Sequence, residues 1–327
     1  MYDFSDERLI DFTNCHERFL RYPGANGQKR SIDYDNHVYM LKFPAIAKIN
    51  NNMHYTNGCL SEYLGCHIYE LAGLPVQRTM LGKYLVRDEY KLVVACRDFT
   101  FIGSDNNSIV IQDFISTKNA VIDSPGSGKG TDLNNVLNAI NMQTEMDPEI
   151  VMNRFWDMFV VDAFIGNWDR HNGNWGMLYD KNADIIIGLA PVFDCGSSLY
   201  PQADEEIMKS VLNDDNQLKV RVYERPLSAL TLDGKKINYY EFMMTSSDRD
   251  YIAAVKRIVP HIDMNAVVDL IDNTPGIEAF RKDFYKTILY ARKELILDRA
   301  LERAENISKS QSVNIDNDIS CVRRKGR

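Results

Sequence analysis

One short polar segment carries the clearest chemical pattern in the chain. It reads Gly166-Asn-Trp-Asp-Arg-His-Asn-Gly-Asn174, with four residues between Asp169 and Asn174, and a second carboxylate, Asp194, follows 20 positions later. Phosphoryl transfer needs one carboxylate that orients a hydroxyl and accepts its proton. It also needs hard oxygen ligands for Mg²⁺, which an amide and a second carboxylate supply. The pattern predicts Asp169 as the catalytic base, with Asn174 and Asp194 as metal ligands.

The elements around this segment explain how its residues meet. Apolar spacing predicts a buried helix over residues 148–165 and a hairpin with strands at 175–179 and 184–189. The return strand brings Asp194 back beside Asn174, and we expect Gly196 to let the backbone turn sharply behind it. The alternative is that Asp169 and Asn174 only cap local turns. The position of Asp194 after a hairpin favours the metal site.

A second pattern lies near the start of the chain, where a glycine turn is predicted between two strands and is followed by Lys42. Because side chains alternate along a strand, Val38, Met40 and Lys42 face one way. This face suits adenine, with the ammonium at the α- and β-phosphates of ATP, while backbone N–H groups of the turn cover the phosphates. An ordinary hairpin is the alternative. The turn residues predicted to bind ATP are Gly24, Ala25, Asn26, Gly27 and Lys29.

Four further residues complete the predicted nucleotide site. Glu62 lies on a helix predicted over residues 57–72 and is placed to pair with Lys42. The strand leading to Cys96 and Asp98 is predicted to offer its backbone to adenine. His171, inside the polar segment, either contacts the phosphates or braces the loop.

Composition limits the class of protein. The chain has 327 residues, a net charge of −8 and six dispersed cysteines without C-x-x-C spacing. We therefore expect a cytoplasmic protein with reduced thiols, no nucleic-acid partner and no membrane association, and we favour a monomer. No signal peptide is recognised, although export into a host by another route stays open.

The order of predicted elements gives the fold class. The first third reads mainly as strands and the remainder mainly as helices, so an α+β fold with two lobes is predicted. We place a β-rich N-lobe at residues 1–98 and a helical C-lobe at residues 99–327.

These motifs resemble the HipA-like serine/threonine kinases, and within them the short bacterial kinases. The resemblance covers roughly residues 20–200 and rests on the glycine turn, Lys42, Asp169-Arg-His-Asn-Gly-Asn174 and Phe193-Asp194. It implies a kinase fold related to phosphoinositide kinases, ATP and Mg²⁺ as cofactors, a protein substrate and autophosphorylation. Ser31 and Ser5 are candidate autophosphorylation sites.

Three alternatives remain at this point. The polar segment also resembles the catalytic loop of phosphoinositide kinases, which implies a lipid substrate. Residues 124–131 resemble a phosphate-binding P-loop, but Asp123 stands where its first glycine is required. A protein that binds ATP on a kinase scaffold without transferring phosphate is the third.

Overall fold

The computed structural model describes residues 2–20, 22, 28–44, 56–101, 108–116 and 131–309. The predicted glycine turn at residues 24–27 lies outside these ranges. So does the segment resembling a P-loop, except for its last residue, Thr131. The predictions made for these two segments therefore stay predictions.

A six-stranded sheet occupies the N-terminal part of the chain, with strand order β1-β5-β6-β4-β3-β2. Strand β1 runs parallel to β5, and the other neighbouring strands are antiparallel. Strands β2 and β3 flank the chain segment that holds the predicted glycine turn. The strands are β1 Ile10–Asp11, β2 Glu17–Arg18, β3 Lys29–Tyr34, β4 His37–Lys42, β5 Thr79–Val86 and β6 Glu89–Arg97.

The two faces of this sheet are buried by different partners. Tyr39 and Leu41 point into a small core on one face, together with Phe12 and Ile32. Met40 belongs to a cluster on the other face with residues of helix α1 (Gly58–Leu71). This alternation along β4 follows from the pleat of a strand. It directs Lys42 to the same side as the helix, as the sequence predicted.

Helices dominate the rest of the described chain, as predicted. A three-stranded antiparallel sheet, β7 Ile109–Asp113, β8 Gly176–Asp180 and β9 Ile185–Leu189, and a hairpin, β10 Leu227–Leu232 and β11 Lys235–Asn238, accompany them. The helices are α2 Leu133–Met142, α3 Pro148–Ile165, α4 Glu205–Asn213, α5 Asp215–Lys219, α6 Tyr239–Thr245, α7 Arg249–Ile258, α8 Met264–Asn273 and α9 Ala279–Arg292. Helix α9 continues through a π-helical turn, Lys293–Asp298, towards residue 309.

Helix α3 runs through the centre of the helical part and leads directly into the polar segment. It begins at Pro148, where the Asp147 side chain accepts a hydrogen bond from the Glu149 N–H. It ends at Gly166, whose left-handed φ of 66° allows its N–H to donate to the Asp162 carbonyl. This glycine directs the chain out of the buried helix and into the loop that carries Asp169.

Candidate active site

Lys42 lies at the centre of the site, between two carboxylates from distant parts of the chain. Its Nζ is 3.0 Å from Glu62 Oε2 and 3.0 Å from Asp194 Oδ1. Glu62 is buried in helix α1, whereas the Asp194 side chain is 45% exposed. The predicted pairing of Lys42 with Glu62 is therefore present, and Asp194 joins it.

The charges of this cluster reinforce one another. Burial alone would lower the pKa of Lys42, but the carboxylates of Asp194 and Glu62 raise it well above its ordinary value. The positive charge of Lys42 in turn lowers the pKa of Asp194. Lys42 is therefore a fixed cation, and Asp194 a fixed anion, throughout the neutral pH range.

The turn at Asp194 is built differently from the sequence prediction. Asp194 itself has the left-handed φ of 58°, which aspartate tolerates better than most residues, while Gly196 is not in that region. A Cβ at Gly196 would lie 3.0 Å from Glu62 Oε2, the oxygen that contacts Lys42, so a larger residue there would press on this pair. The chain does turn at Gly196, as predicted, and the Ser198 N–H donates to the Cys195 carbonyl at 3.1 Å, but the glycine is not the left-handed residue.

The loop after helix α3 presents Asp169 on a framework of hydrogen bonds. The Asp169 N–H donates to Asn167 Oδ1 at 3.1 Å, and the Asp169 carbonyl accepts from Asn174 Nδ2 at 2.9 Å. Because Nδ2 is used inside the loop, the amide oxygen of Asn174 is the atom left for a cation. The Asp169 carboxylate is 31% exposed, so an acceptor hydroxyl can reach it.

A buried arginine joins this loop to the segment that carries Asp194. Arg170 Nη1 donates to the Asn174 carbonyl at 2.8 Å and to the Phe193 carbonyl at 2.5 Å. Its Nε donates to Asp162 Oδ2 at 3.0 Å. The sequence pattern does not single out Arg170, because only the folded chain shows that its side chain turns inward between Asp169 and His171.

Asp162 is linked to the loop through side chains. Its carboxylate accepts hydrogen bonds from the side chains of Tyr69, Asn167 and Arg170. The backbone N–H of Asn167 goes to the Asp162 carbonyl, which is an ordinary helix ending.

Two of the other predicted nucleotide contacts lie on neighbouring strands near Lys42. Lys29 is the cross-strand partner of Lys42, and burial and the charge of Lys42 lower its pKa. Cys96 pairs with Met40 and Thr79 within the sheet, and its thiol is fully buried.

Asp98 follows the end of strand β6. Its backbone N–H donates to the Val38 carbonyl at 2.9 Å, so in this conformation that group is used inside the protein. Its carboxylate accepts a hydrogen bond from Tyr22 at 2.9 Å. The predicted contact of Asp98 with adenine stays a prediction.

His171 braces the loop in this structure. Its Nδ1 accepts a hydrogen bond from the Gly173 N–H at 3.0 Å, and its Nε2 lies 4.0 Å from Asp169 Oδ1.

Of the two candidate autophosphorylation sites, Ser31 is only 1% exposed within β3, while Ser5 is exposed near the N-terminus. Ser31 is therefore inaccessible as an acceptor in this conformation.

Among the residues that the structure describes, no group of three or more His, Cys, Asp or Glu side chains is arranged to hold a metal ion. Within the same ranges, no helix has the length and apolar character needed to cross a bilayer.

Helix α1 approaches the segment after Asp194 so closely that glycine is needed at position 65. A Cβ there would lie 2.8 Å from Cys195 Cβ and 2.9 Å from Ser198 Oγ. We expect Gly65→Ala to lower the free energy of unfolding by about 1–2 kcal/mol, the usual cost of overpacking less the gain in helix propensity. Thermal unfolding should show this loss, while Glu70→Ala, at an exposed position of the same helix, should show none. Equal stability of the two variants would contradict the prediction.

Comparison with known proteins gives consistent matches over most of the chain. The family model described as the HipA-like C-terminal domain matches residues 24–266. The serine/threonine-protein kinase CtkA of Helicobacter pylori is 46% identical over 301 residues, which cover 91% of this chain and 90% of that protein.

Solved structures agree with the sequence matches. The crystal structure of a Helicobacter pylori proinflammatory kinase, CtkA, superposes with a TM-score of 0.85 at 46% identity, covering 92% of this chain and 99% of the other. HipA of a Shewanella oneidensis toxin–antitoxin system, solved with HipB and operator DNA, gives a TM-score of 0.50 at 13% identity. That match covers 86% of this chain and 68% of HipA. The likeness to HipA concerns the fold alone.

Proposed function

This chain belongs to the HipA-like family and has its kinase fold, and on that premise we propose the roles of its site residues in a serine/threonine protein kinase reaction. The observation that carries this proposal is the Lys42 ammonium held 3.0 Å from both Glu62 and Asp194. A kinase requires this arrangement, because a lysine positioned by a helix glutamate contacts the ATP phosphates next to the metal-binding aspartate.

The residues present fit a Mg²⁺ ion. Asn174 offers an amide oxygen and Asp194 offers a carboxylate, and both are hard ligands. The carbonyl oxygens of Asn174 and Phe193 contact the same Arg170 nitrogen, so the two ligand-bearing segments lie side by side. When bound, Mg²⁺ supplies positive charge that offsets the negative charge on the phosphate oxygens. We assign Asn174 and Asp194 to this role.

Lys42 and its neighbours fit the phosphate chain of ATP. The Lys42 side chain is 16% exposed, and Lys29 stands opposite it at the start of β3. Two ammonium groups on one sheet face, beside the segment that leads from the predicted glycine turn, suit the α- and β-phosphates. We assign the residues at 24–27, Lys29 and Lys42 to the phosphates, with Cys96 and Asp98 at the adenine end and His171 near the transferred phosphate.

Asp169 is assigned as the catalytic base. The acceptor oxygen forms a bond to the γ-phosphorus, and the bond from that phosphorus to the bridging oxygen breaks, with its electron pair leaving on ADP. The hydroxyl proton passes to an oxygen of Asp169. The hydrogen bonds of the Asp169 backbone to Asn167 and Asn174 hold the carboxylate at the loop surface throughout this step.

We extend the proposal to the acceptor. A serine or threonine of a protein is its substrate, and a copy of this chain is one such protein, which gives autophosphorylation. We also keep the predicted lobe boundary near residue 98, the cytoplasmic location and the monomeric state as part of the proposal.

The test is phosphate transfer from labelled ATP with Mg²⁺ in three separate reactions: with a generic basic protein, with phosphoinositide vesicles, and with no added acceptor. We expect label on serine or threonine in the first and third reactions. An Asp169→Asn protein, prepared in the same way, controls for contaminating kinases. Label confined to the vesicles would replace the protein substrate by a lipid. Bound ATP without transfer to any acceptor would leave a non-catalytic binding protein.

A further inference from the structure

A buried ion pair lies beneath the loop that carries Asp169 and Asn174. The Arg170 side chain is 7% exposed and the Asp162 side chain is 1% exposed, and Nε of the arginine is 3.0 Å from Oδ2 of the aspartate. An ion pair this deep is a poor source of stability, because both charges lose their hydration. Its hydrogen bonds to the rest of the site therefore need an explanation.

The arginine side of the pair reaches the two segments with proposed metal ligands. Arg170 Nη1 donates to the carbonyl of Asn174 itself and to the carbonyl of Phe193, the residue before Asp194. Its Nη2 lies 3.5 Å from Cys195 Sγ, on the other side of Asp194. A planar guanidinium fixes the directions of these contacts, which a flexible ammonium does not.

Asp162 is linked to the proposed base, Asp169, through the side chain of Asn167. Asp162 Oδ1 accepts a hydrogen bond from Asn167 Nδ2 at 2.9 Å, and Oδ1 of the same Asn167 accepts the Asp169 N–H at 3.1 Å. The Tyr69 hydroxyl of helix α1 also donates to Asp162 Oδ1, at 2.7 Å. The Asp162 carboxylate therefore anchors two hydrogen-bond routes. One leads through Asn167 to Asp169, and the other leads through Arg170 to the segments with the proposed metal ligands.

We propose that Arg170 and Asp162 are positioning residues that fix the separation of Asn174 from Asp194, and that Asn167 carries the same restraint to Asp169. This inference rests on the proposed kinase reaction. The two routes predict two different defects. Without the Arg170 guanidinium, the proposed metal ligands can move apart, so the affinity for the metal falls. Loss of the Asn167 amide leaves the metal site intact but frees the backbone of the base, so the turnover rate falls.

A second arginine–aspartate pair, whose aspartate also lies on helix α3, provides a control. Arg257 contacts Asp157 of helix α3 with Nη2 at 2.6 Å and Nε at 3.0 Å from Oδ1. The Arg257 side chain is 38% exposed. This pair joins helices α7 and α3. Arg257→Lys therefore removes a bidentate contact to helix α3 without touching the site.

The experiment measures Mn²⁺ as a paramagnetic stand-in for Mg²⁺, bound to the protein with ADP, by electron paramagnetic resonance. Binding of ADP without metal, transfer kinetics and thermal unfolding are measured in parallel. For Arg170→Lys we expect about a tenfold or greater loss of Mn²⁺ affinity, the usual effect of removing a group that orients metal ligands. ADP affinity without metal should stay within about twofold, because Lys42 and Glu62 are unchanged. Arg257→Lys should leave Mn²⁺ affinity and kcat unchanged.

The second variant tests the other route and remains informative if Arg170→Lys folds poorly. Asn167→Ala should lower kcat about tenfold and leave Mn²⁺ affinity unchanged. A reduced melting temperature in both site variants, with Mn²⁺ affinity and kcat as in the wild type, would show that the pair serves the fold only and would overturn the inference. A wild type that binds Mn²⁺ and ADP but transfers no phosphate, while Arg170→Lys still weakens Mn²⁺, would refute the kinase reaction and retain the inference. A wild type that binds no Mn²⁺ with ADP would overturn both.

Discussion

An Asp169→Asn protein is expected to transfer phosphate about 10²–10⁴-fold more slowly than the wild type, the usual contribution of a general base. Asparagine has the same shape and no basic oxygen at neutral pH. The loop should keep its form, because it is held through the backbone of Asp169 and not through its carboxylate. Both the N–H bonded to Asn167 and the carbonyl bonded to Asn174 Nδ2 remain in the variant. ATP and Mg²⁺ should therefore bind with nearly unchanged affinity.

Single-turnover transfer at saturating Mg²⁺ and ATP measures this loss, with nucleotide binding measured separately. Asp147→Asn is the matched control, because Asp147 caps the opposite end of helix α3 and asparagine caps a helix equally well. That control should retain full activity. An Asp169→Asn rate within a few-fold of the wild type would assign the proton transfer to another group. A parallel loss of ATP binding would assign Asp169 to ground-state binding instead.

Local signals in the sequence predicted the elements that carry the site. Helix α3 has its predicted limits, because Asp147, Pro148 and Gly166 are strong start and stop residues around an apolar run. The hairpin of β8 and β9 and the helix holding Glu62 were also predicted. Each of these depends on residues within one turn or one strand, so the chain alone specifies them.

Contacts between distant segments could not be predicted in the same way. The sequence suggested that Lys42 pairs with Glu62, but nothing local indicated that Asp194 binds the same ammonium. Arg170 is a clearer case, because an arginine in a polar loop is usually solvated. Only the packing of the 193–195 segment against the loop surrounds it with carbonyl groups and leaves it buried.

The turn at Gly196 was predicted, but the position of the left-handed residue was not. Glycine in a turn often has a left-handed backbone. In the fold, the left-handed residue is Asp194, and a Cβ at Gly196 would approach the side chain of Glu62 in helix α1, 134 positions earlier in the chain. Steric demands of this kind belong to the tertiary structure, because they depend on which helix lies opposite.

Asp194→Asn is the second large effect, and we expect transfer to fall by at least about 10³-fold, or about 4 kcal/mol in the activation free energy. The substitution removes a proposed metal ligand and, at the same time, one of the two anions that hold Lys42 at 3.0 Å. Asparagine tolerates the left-handed φ of 58°, so the backbone should not be disturbed. Unlike Asp169→Asn, this variant should also need far more Mg²⁺ for half-maximal ATP binding.

The ionisation of Asp194 and Lys42 predicts how the defect of Asp194→Asn depends on pH. Lys42 lowers the pKa of Asp194 below 3.8, and Asp194 and Glu62 raise the pKa of Lys42 above 10.5. The contribution of Asp194 to stability is therefore present above pH 3.8 and is lost as the pH falls through its lowered pKa. That of Lys42 is present below pH 10.5 and is lost as the pH rises through its raised pKa. Neither group should add a step to the wild-type profile at neutral pH, and the defect of Asp194→Asn should be equally large across that range.

The matched control for Asp194→Asn is Asp184→Asn, an exposed hairpin residue with a nearly identical φ of 57°. Because both positions place aspartate in a left-handed turn, any general cost of the substitution appears in both proteins, and only the site variant loses the proposed metal ligand. Titration of Mg²⁺ against labelled-ATP transfer and against nucleotide binding gives the comparison. An Asp194→Asn protein with the wild-type Mg²⁺ requirement would remove Asp194 from the metal site, and would leave its contact with Lys42 as the whole of its role.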